Sequence, residues 1–400
     1  MGLNETPSSD RIHIGIFGRR NAGKSSVINA ITGQNLAIVS ETEGTTTDPV
    51  KKAMELLPLG PVLMIDTPGL DDEGELGKKR VEKSYQMLNQ TDIVLLVLDG
   101  TAGVGTVEQE ILALVKEKKL PYIIAVNKSD EFSREQRDAV CQKLVGEDNL
   151  LFVSAKTKRG IRELKEALAG RAPQPTEKRI VADLISEGDS VVLVVPIDKA
   201  APKGRLILPQ QQTIRDILDK RAVSVVTQED RVEEVIRNMK VPPALVVTDS
   251  QAFATVASQT PDYIPLTSFS ILFARYKGEL QQQVQGARTL DTLKDGDIVL
   301  ISEGCTHHRQ CDDIGTVKLP KWISDYTKKK IQFEFTSGGE FPEKLRKYSL
   351  IVHCGACMLN EKEIKYRIEK AVKEGIPITN YGVCIAQIQG ILDRSIRMFY

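Results

Sequence analysis

The chain is 400 residues long, with 54 basic and 54 acidic side chains and six cysteines, enough for two or three domains that each bury a core. Zero net charge gives no global pull toward nucleic acid or an anionic membrane. No apolar run approaches the roughly 18 residues of a membrane span, and the start, MGLNETPSSDR, lacks the apolar core of a signal peptide, so a cytoplasmic protein without a membrane or nucleic-acid partner is expected. Four of the six cysteines fall between 305 and 357, a clustering that reads as ligation and not as a secreted disulfide framework.

The first segment alternates apolar strands (RIHIGIF, VLMID, DIVLLVLD, YIIAVN, LLFVS) with polar or helical stretches, the rhythm of a mostly parallel α/β sheet. Directly after the first strand, Gly18-Arg19-Arg20-Asn21-Ala22-Gly23-Lys24-Ser25 forms a GxxxxGKS loop that runs into the helical pattern from Ser25 and Ser26 onward. Its glycines let backbone N–H groups close on phosphates, Lys24 reaches the β and γ phosphates, and the Ser25 hydroxyl is a magnesium ligand.

Three further motifs follow in order, each at the C-terminal end of a strand, where open α/β sheets bind ligands. Asp66-Thr67-Pro68-Gly69 places a carboxylate at magnesium through water and the Gly69 N–H near the γ-phosphate. Asn127-Lys128-Ser129-Asp130 supplies the Asp130 carboxylate, which accepts from N1–H and the 2-amino group of guanine. Adenine lacks that donor pair, so the nucleotide is GTP or GDP. Ser154-Ala155-Lys156 supports the base from the other side.

Residues 10 to 170 resemble the GTPases of the TrmE–Era class, whose phosphate loop reads GxxNxGKS. The resemblance implies that Asn21 helps coordinate potassium beside the phosphates. Gly44-Thr45-Thr46-Thr47-Asp48 resembles the class's switch-I motif GTTRD, with Thr47 where arginine is common, and this makes Thr46 the second magnesium ligand. Lys24, Thr46 and Gly69 are the expected catalytic set. Leu70 stands where small GTPases carry a water-positioning glutamine, so hydrolysis relies on cations and positioning. Slow turnover, faster in potassium than in sodium, is expected. The stretch DDEGELGKKRVEKSYQ has the charge and glycine content of a switch II.

Ala172-Pro173-Gln174-Pro175-Thr176 is a polar, proline-bearing break. It divides a GTPase domain (1–174) from a small α/β unit (175–266) with strands SVVLVV, AVSVV and PALVV, and the helical patterns PQQQTIRDILDKR and RVEEVIRNM. That unit has no phosphate loop, histidine or cysteine. Apolar strands that must be covered or paired favour a dimerisation module, with a plain spacer as the alternative.

From residue 267 the alternation resumes: a helix through SFSILFARYKGELQQQVQ, strand DIVLISEG, helix KLPKWISDYTKK, strand IQFEF, helix FPEKLRKY, strand SLIVHCG, helix EKEIKYRIEKAVKEG, strand IPITNYG and a last helix, CIAQIQGILDRSIRMF. Cys305 follows one strand, and Cys354 and Cys357 end another. Parallel pairing of those two strands brings the three thiols to one rim. Three thiolates, with His307 and His353 beside them, fit a four-iron cluster with one exchangeable position or a Cys3His zinc site. His308, Cys311 and Cys384 read as surface or core residues, Cys141 as packing on a helix, His13 as a satisfied strand residue, and Lys328-Lys329-Lys330 as a solvated face.

Cys305-Thr306-His307, then 45 residues, then His353-Cys354-Gly355-Ala356-Cys357 resembles the Cys-x-His…His-Cys-x-x-Cys signature of the HydF family of [FeFe]-hydrogenase maturation GTPases, and the domain order agrees. The resemblance implies that Cys305, Cys354 and Cys357 hold a [4Fe–4S] cluster in a third α/β domain (267–400), with His307 or His353 as fourth ligand or neighbour, and that the middle domain makes a homodimer. It further implies a scaffold for a diiron unit with CO and cyanide ligands, built with the radical-SAM maturases HydE and HydG and delivered to apo-[FeFe]-hydrogenase. The competing expectations are a ribosome- or tRNA-directed GTPase with a zinc-stabilised C-terminal module, and an electron-transfer oxidoreductase. Neutral charge and the absence of a basic, aromatic-interleaved stretch weigh against the first, and the absence of a second redox motif against the other.

Overall fold

The computed structural model describes residues 6–33, 50–69, 81, 84–173, 178–196, 206–304, 313–355 and 359–400, in two compact units, Met1–Pro175 and Thr176–Tyr400. Among the described residues they carry three sheets flanked by helices, an α/β architecture. Among the described residues no helix is long and apolar enough to cross a membrane.

The first unit runs β1 (Ile12–Phe17), α1 (Lys24–Thr32), β2 (Val50–Leu56), β3 (Gly60–Asp66), β4 (Ile93–Asp99), α2 (Thr106–Glu117), β5 (Tyr122–Asn127), α3 (Arg134–Lys143), β6 (Leu150–Phe152) and α4 (Ile161–Gly170). Its six strands lie in the order β2-β3-β1-β4-β5-β6, parallel except for the β2–β3 hairpin. The run IVLLVLD of β4 is apolar throughout because both faces are covered. Ile93, Leu95 and Val97 pack against α1 and α4, whereas Val94, Leu96 and Leu98 pack against α2. Truncating Leu95 to alanine at such a site costs about 2–5 kcal/mol. The β2 strand is absent from the sequence reading. Its residues alternate in exposure but carry Lys51, Lys52 and Glu55 on an edge, so the apolar signal is weak.

The second unit holds two four-stranded parallel sheets. The first combines β7 (Ser190–Val194), α5 (Leu208–Asp219), β8 (Val223–Thr227), α6 (Val232–Asn238), β9 (Leu245–Thr248), α7 (Phe253–Gln259), β10 (Leu266–Ser268) and α8 (Phe269–Lys277), in strand order β10-β9-β7-β8. The sequence boundary at 266/267 cuts through β10, which pairs with β9. Phe269, Leu272 and Phe273 of α8 pack on one face of this sheet, and Ile271 and Ala274 join the core on the other. The chain entering the unit is pinned by Asp216 of α5, whose Oδ2 accepts from the N–H groups of Ile180, Val181 and Ala182 at 3.0, 2.8 and 2.9 Å.

The remaining elements are α9 (Leu280–Arg288), β11 (Ile298–Ser302), α10 (Leu319–Thr327), β12 (Gln332–Thr336), β13 (Leu350–His353), α11 (Glu361–Lys373), β14 (Ile378–Asn380), α12 (Tyr381–Ile388) and α13 (Leu392–Ile396), in strand order β12-β11-β13-β14. Three helical readings change here. The stretch through 267–285 is two helices, α8 and α9, because at Gly278 the backbone leaves the helix. A Cβ at that position would lie 3.0 Å from the Ala274 carbonyl. FPEKLRKY is not helical. Pro342 sits at its start, and buried Leu345 and Tyr348 hold a turn in which the Tyr348 N–H donates to the Leu345 carbonyl at 2.9 Å. The final helix breaks at Gly390, whose φ of +71° ends α12 before α13 begins.

Candidate nucleotide and thiol sites

The phosphate loop is shaped by two glycines. Gly18 has φ +149°, and a Cβ there would lie 2.2 Å from the Val97 carbonyl of β4. Gly23 has φ +88°, and its Cβ would meet Asn127 Nδ2 at 2.3 Å. Asn21 also sits in the left-handed region, which asparagine tolerates better than most residues. Lys24 Nζ donates to the Gly18 and Arg19 carbonyls at 2.9 and 2.8 Å, so the ammonium is parked across the loop that it serves. Arg19 pairs with the buried Glu108 of α2 and donates to the Gly103 carbonyl at 2.8 Å. This anchor joins residues 89 apart, and no local motif announces it.

Asn127 unites three of the motifs. Its Nδ2 donates to the Ala22 carbonyl at 3.1 Å, and its Oδ1 accepts from the Ala155 N–H at 3.1 Å. A cleft of about 730 Å³ opens beside it, lined by residues that include Asn21, Lys24, Ser25, Ser26, Lys128, Asp130, Ser154 and Lys156. Lys128 is paired with Asp99, and Lys156 with Glu131 at 3.3 Å. The Asp130 carboxylate faces solvent, and a hydrogen bond from Ser154 holds its pKa below the usual range. An ionised, accessible acceptor is what guanine's paired donors require.

Ser25 Oγ donates to Asp66 Oδ2 at 3.1 Å. Asp66 Oδ1 is buried and without a hydrogen-bond partner among the described residues, and burial pushes the carboxyl pKa up despite Lys24 and Ser25. An orphaned carboxylate oxygen beside a serine hydroxyl fits a hard divalent cation such as magnesium. Gly69 lies against Arg20, whose N would stand 3.0 Å from a Cβ there, so this glycine closes directly on the phosphate loop. Thr46 and Leu70 lie outside the described residues.

In the second unit β11 and β13 are parallel neighbours, with Ser302 in register with His353. Cys354 follows at the rim. Its N–H donates to the Ser302 carbonyl at 3.0 Å, and its Sγ accepts from the Gly304 N–H at 3.0 Å. Such N–H···S bonds stabilise thiolate and tune thiolate-bound clusters. His353 is buried, its Nδ1 lies 2.7 Å from the Cys354 carbonyl, and burial pushes its pKa down to about 4. The ring is therefore neutral, and its Nε2 is buried without a hydrogen-bond partner among the described residues. A thiol with an amide donor and a neutral imidazole beside it suits a soft metal centre.

Cys305, His307, His308, Cys311 and Cys357 lie outside the described residues. Among the described residues no three His, Cys, Asp or Glu side chains converge on a metal position. Sequence reading missed the groups packed around Cys354. Tyr381 OH donates to Glu303 Oε1 at 3.2 Å, and burial, Cys354 and Glu303 push its pKa up. Arg367, 1% exposed, pairs with Glu363 at 2.8 Å and donates to Ser302 Oγ at 3.1 Å. The available signal was a Glu363–Arg367 pair, four residues apart, on the helical face that carries Ile364, Ile368 and Ala371. Cys384 is a core thiol whose pKa burial raises to about 12, and Cys141 lies on α3.

The nucleotide-binding unit defines a class: residues 13–128 match the 50S ribosome-binding GTPase model, and the chain carries a P-loop GTPase domain. Residues 180–278 match the hydrogen maturase F dimerization domain and residues 281–398 the hydrogen maturase F tetramerization domain. The chain belongs to the hydrogen maturase F (HydF) family. Among curated relatives, the tRNA modification GTPase MnmE of Desulforamulus reducens is 35% identical over 154 residues, 38% of this chain and 33% of that one. GTPase Era of Heliobacterium modesticaldum is 28% identical over 221 residues, 49% of this chain and 74% of that one. The chain spans about a third of the length of MnmE. A solved structure of Aquifex aeolicus Era bound to GDP and AlF4− aligns with 20% identity and a TM-score of 0.37, covering 56% of this chain and 97% of that one.

Proposed function

We propose that this protein is a cytoplasmic, GTP-hydrolysing scaffold that assembles a diiron precursor with CO and cyanide ligands and delivers it to apo-[FeFe]-hydrogenase. HydE and HydG are its partners in assembly. The observation that carries the reading is the pairing, in one chain of the HydF family, of a guanine-nucleotide cleft with a thiol rim where Gly304 N–H meets Cys354 Sγ.

In the nucleotide site, GTP is held by the Gly18–Ser26 loop and Asn127, Lys128, Asp130, Ser154, Ala155 and Lys156. Magnesium is ligated by Ser25 and Thr46, with Asp66 acting through water. Asn21 would hold a potassium ion that supplies positive charge beside the phosphates, and Lys24 and the Gly69 N–H stabilise charge on the transferred phosphoryl group.

In the third sheet's domain, Cys305, Cys354 and Cys357 hold a [4Fe–4S] cluster, with His307 or His353 as fourth ligand or neighbour. When bound, that cluster would supply an exchangeable iron position for holding the diiron cargo. The chain's own part is to hold the thiolates and, at Cys354, to donate to sulfur from the Gly304 N–H. Residues 1–174 are the GTPase domain, the segment read as 175–266 is the dimerisation domain and extends through β10 and α8 to Lys277, and the remainder of the segment read as 267–400 is the cluster domain. Homodimer formation is supported by the β8 edge, where Val223 and Val226 are 50% and 49% exposed.

The test is anaerobic reconstitution followed by cargo transfer. Wild type loaded with a synthetic diiron carbonyl–cyanide complex should activate apo-hydrogenase, and Cys354→Ser should not. Equal activation by the variant would end the proposal.

A further inference from the structure

At the C-terminus of α8, in the segment matched by the dimerisation model, Lys277 is only 4% exposed. Its ammonium donates to the Leu359 carbonyl at 3.2 Å and lies 5.8 Å from the Phe273 ring centroid. Burying an ammonium costs several kcal/mol in lost hydration, and a lysine at a helix end serves its dipole equally well from the surface. The burial therefore calls for a local purpose.

Leu359 provides it. Its side chain lies over Gly304, where a Cβ would stand 2.7 Å from Leu359 Cγ. Gly304 in turn donates its N–H to Cys354 Sγ at 3.0 Å. An unbroken series of contacts thus runs from a helix of the middle sheet to the thiol of the third: ammonium, carbonyl, leucine side chain, glycine amide, sulfur.

We propose that Lys277 is a positioning residue of the cysteine site: it holds Leu359 against Gly304, and this keeps the Gly304 amide on the Cys354 sulfur. The middle sheet thereby contributes to the thiol site without supplying a ligand. The significance of the contact for a cluster rests on the proposed function, but the contact itself can be tested without metal.

The experiment is residue-resolved alkylation of the metal-free, full-length protein by iodoacetamide, read by mass spectrometry, with Cys141 as internal reference. Lys277→Met should slow modification of Cys354 at neutral pH about fivefold, the scale of one hydrogen bond to the reactive thiolate. Lys277→Arg, which keeps the cation, should restore the wild-type rate. Leu359→Ala, which breaks the series at its middle, should reproduce the methionine phenotype. An unchanged Cys354 rate in folded Lys277→Met would overturn the proposal, as would a wild-type rate in Leu359→Ala should the methionine variant fail to fold. Iron analysis after reconstitution separates the two claims. Slower Cys354 alkylation in the variants, with no iron bound by wild type, would leave the positioning role standing and remove the cluster reading.

Discussion

Ser302 and His353 stand side by side, in register, at the C-terminal ends of β11 and β13. The pairing sets the thiol rim, because the next N–H on one strand bonds to the last carbonyl of the other. Arg367 braces the same point through Ser302 Oγ, which also accepts from Thr336 Oγ1 at 2.9 Å. Arg367→Met should cost about 3–5 kcal/mol, since the buried Glu363 loses its guanidinium partner. The double variant Arg367→Met with Glu363→Leu should recover most of that loss. Urea unfolding of the three proteins, followed in the transition that nucleotide does not shift, checks the pair.

Asp66 carries an orphaned oxygen and a pKa raised by burial. Without a cation its carboxylate is a burden on the fold, so Asp66→Asn should leave the nucleotide-free melting temperature unchanged or higher. With magnesium and GTP the same variant should lose about a hundredfold in hydrolysis rate, as expected when a metal-positioning anion is removed. Calorimetry and phosphate release, measured together, separate the two effects.

Asp130 is exposed and its pKa is lowered by Ser154. Its folded pKa lies below the ordinary value, so the carboxylate is fully ionised at neutral pH and loses charge only as pH falls through that depressed value. GDP affinity should thus be flat from pH 8 down to about 5 as far as base recognition is concerned. Asp130→Asn should weaken GDP binding about a hundredfold and improve binding of xanthine nucleotides, whose 2-carbonyl accepts from the new amide. Fluorescent-nucleotide titrations in both bases provide the check.

The β8 edge leaves Val223 and Val226 exposed, whereas α9 closes on the β14 edge so tightly that a Cβ on Gly286 would lie 2.0 Å from the Ile378 carbonyl. If the proposed dimer forms through this edge, Val226→Lys should lower the oligomeric state with little effect on GTP hydrolysis. Light scattering at several protein concentrations, beside a GTPase assay, tests this.

The nucleotide motifs were legible because each is a short run at the end of an apolar strand, with chemistry and geometry written in consecutive residues. The parallel pairing of β11 with β13 was a condition of the sequence reading, suggested by the alternation of strands and helices, and the structure meets it. Contacts made across long sequence separations were not, including Arg19 with Glu108, Lys277 with Leu359, and Tyr381 with Glu303. The β2 strand was hidden by its charged edge, the turn at Leu345–Tyr348 by helix-forming lysines and glutamate, and the β10 boundary by a strand of only three residues. In each of these, tertiary packing outweighed local propensity.

The most direct measurement is iron and sulfide analysis, with EPR after dithionite reduction, on anaerobically reconstituted wild type and Cys354→Ser. The account predicts close to four irons per chain and a reduced four-iron signal in wild type, with both diminished in the variant. Tightly bound zinc with no iron signal would contradict it and turn the C-terminal domain into a zinc-stabilised module.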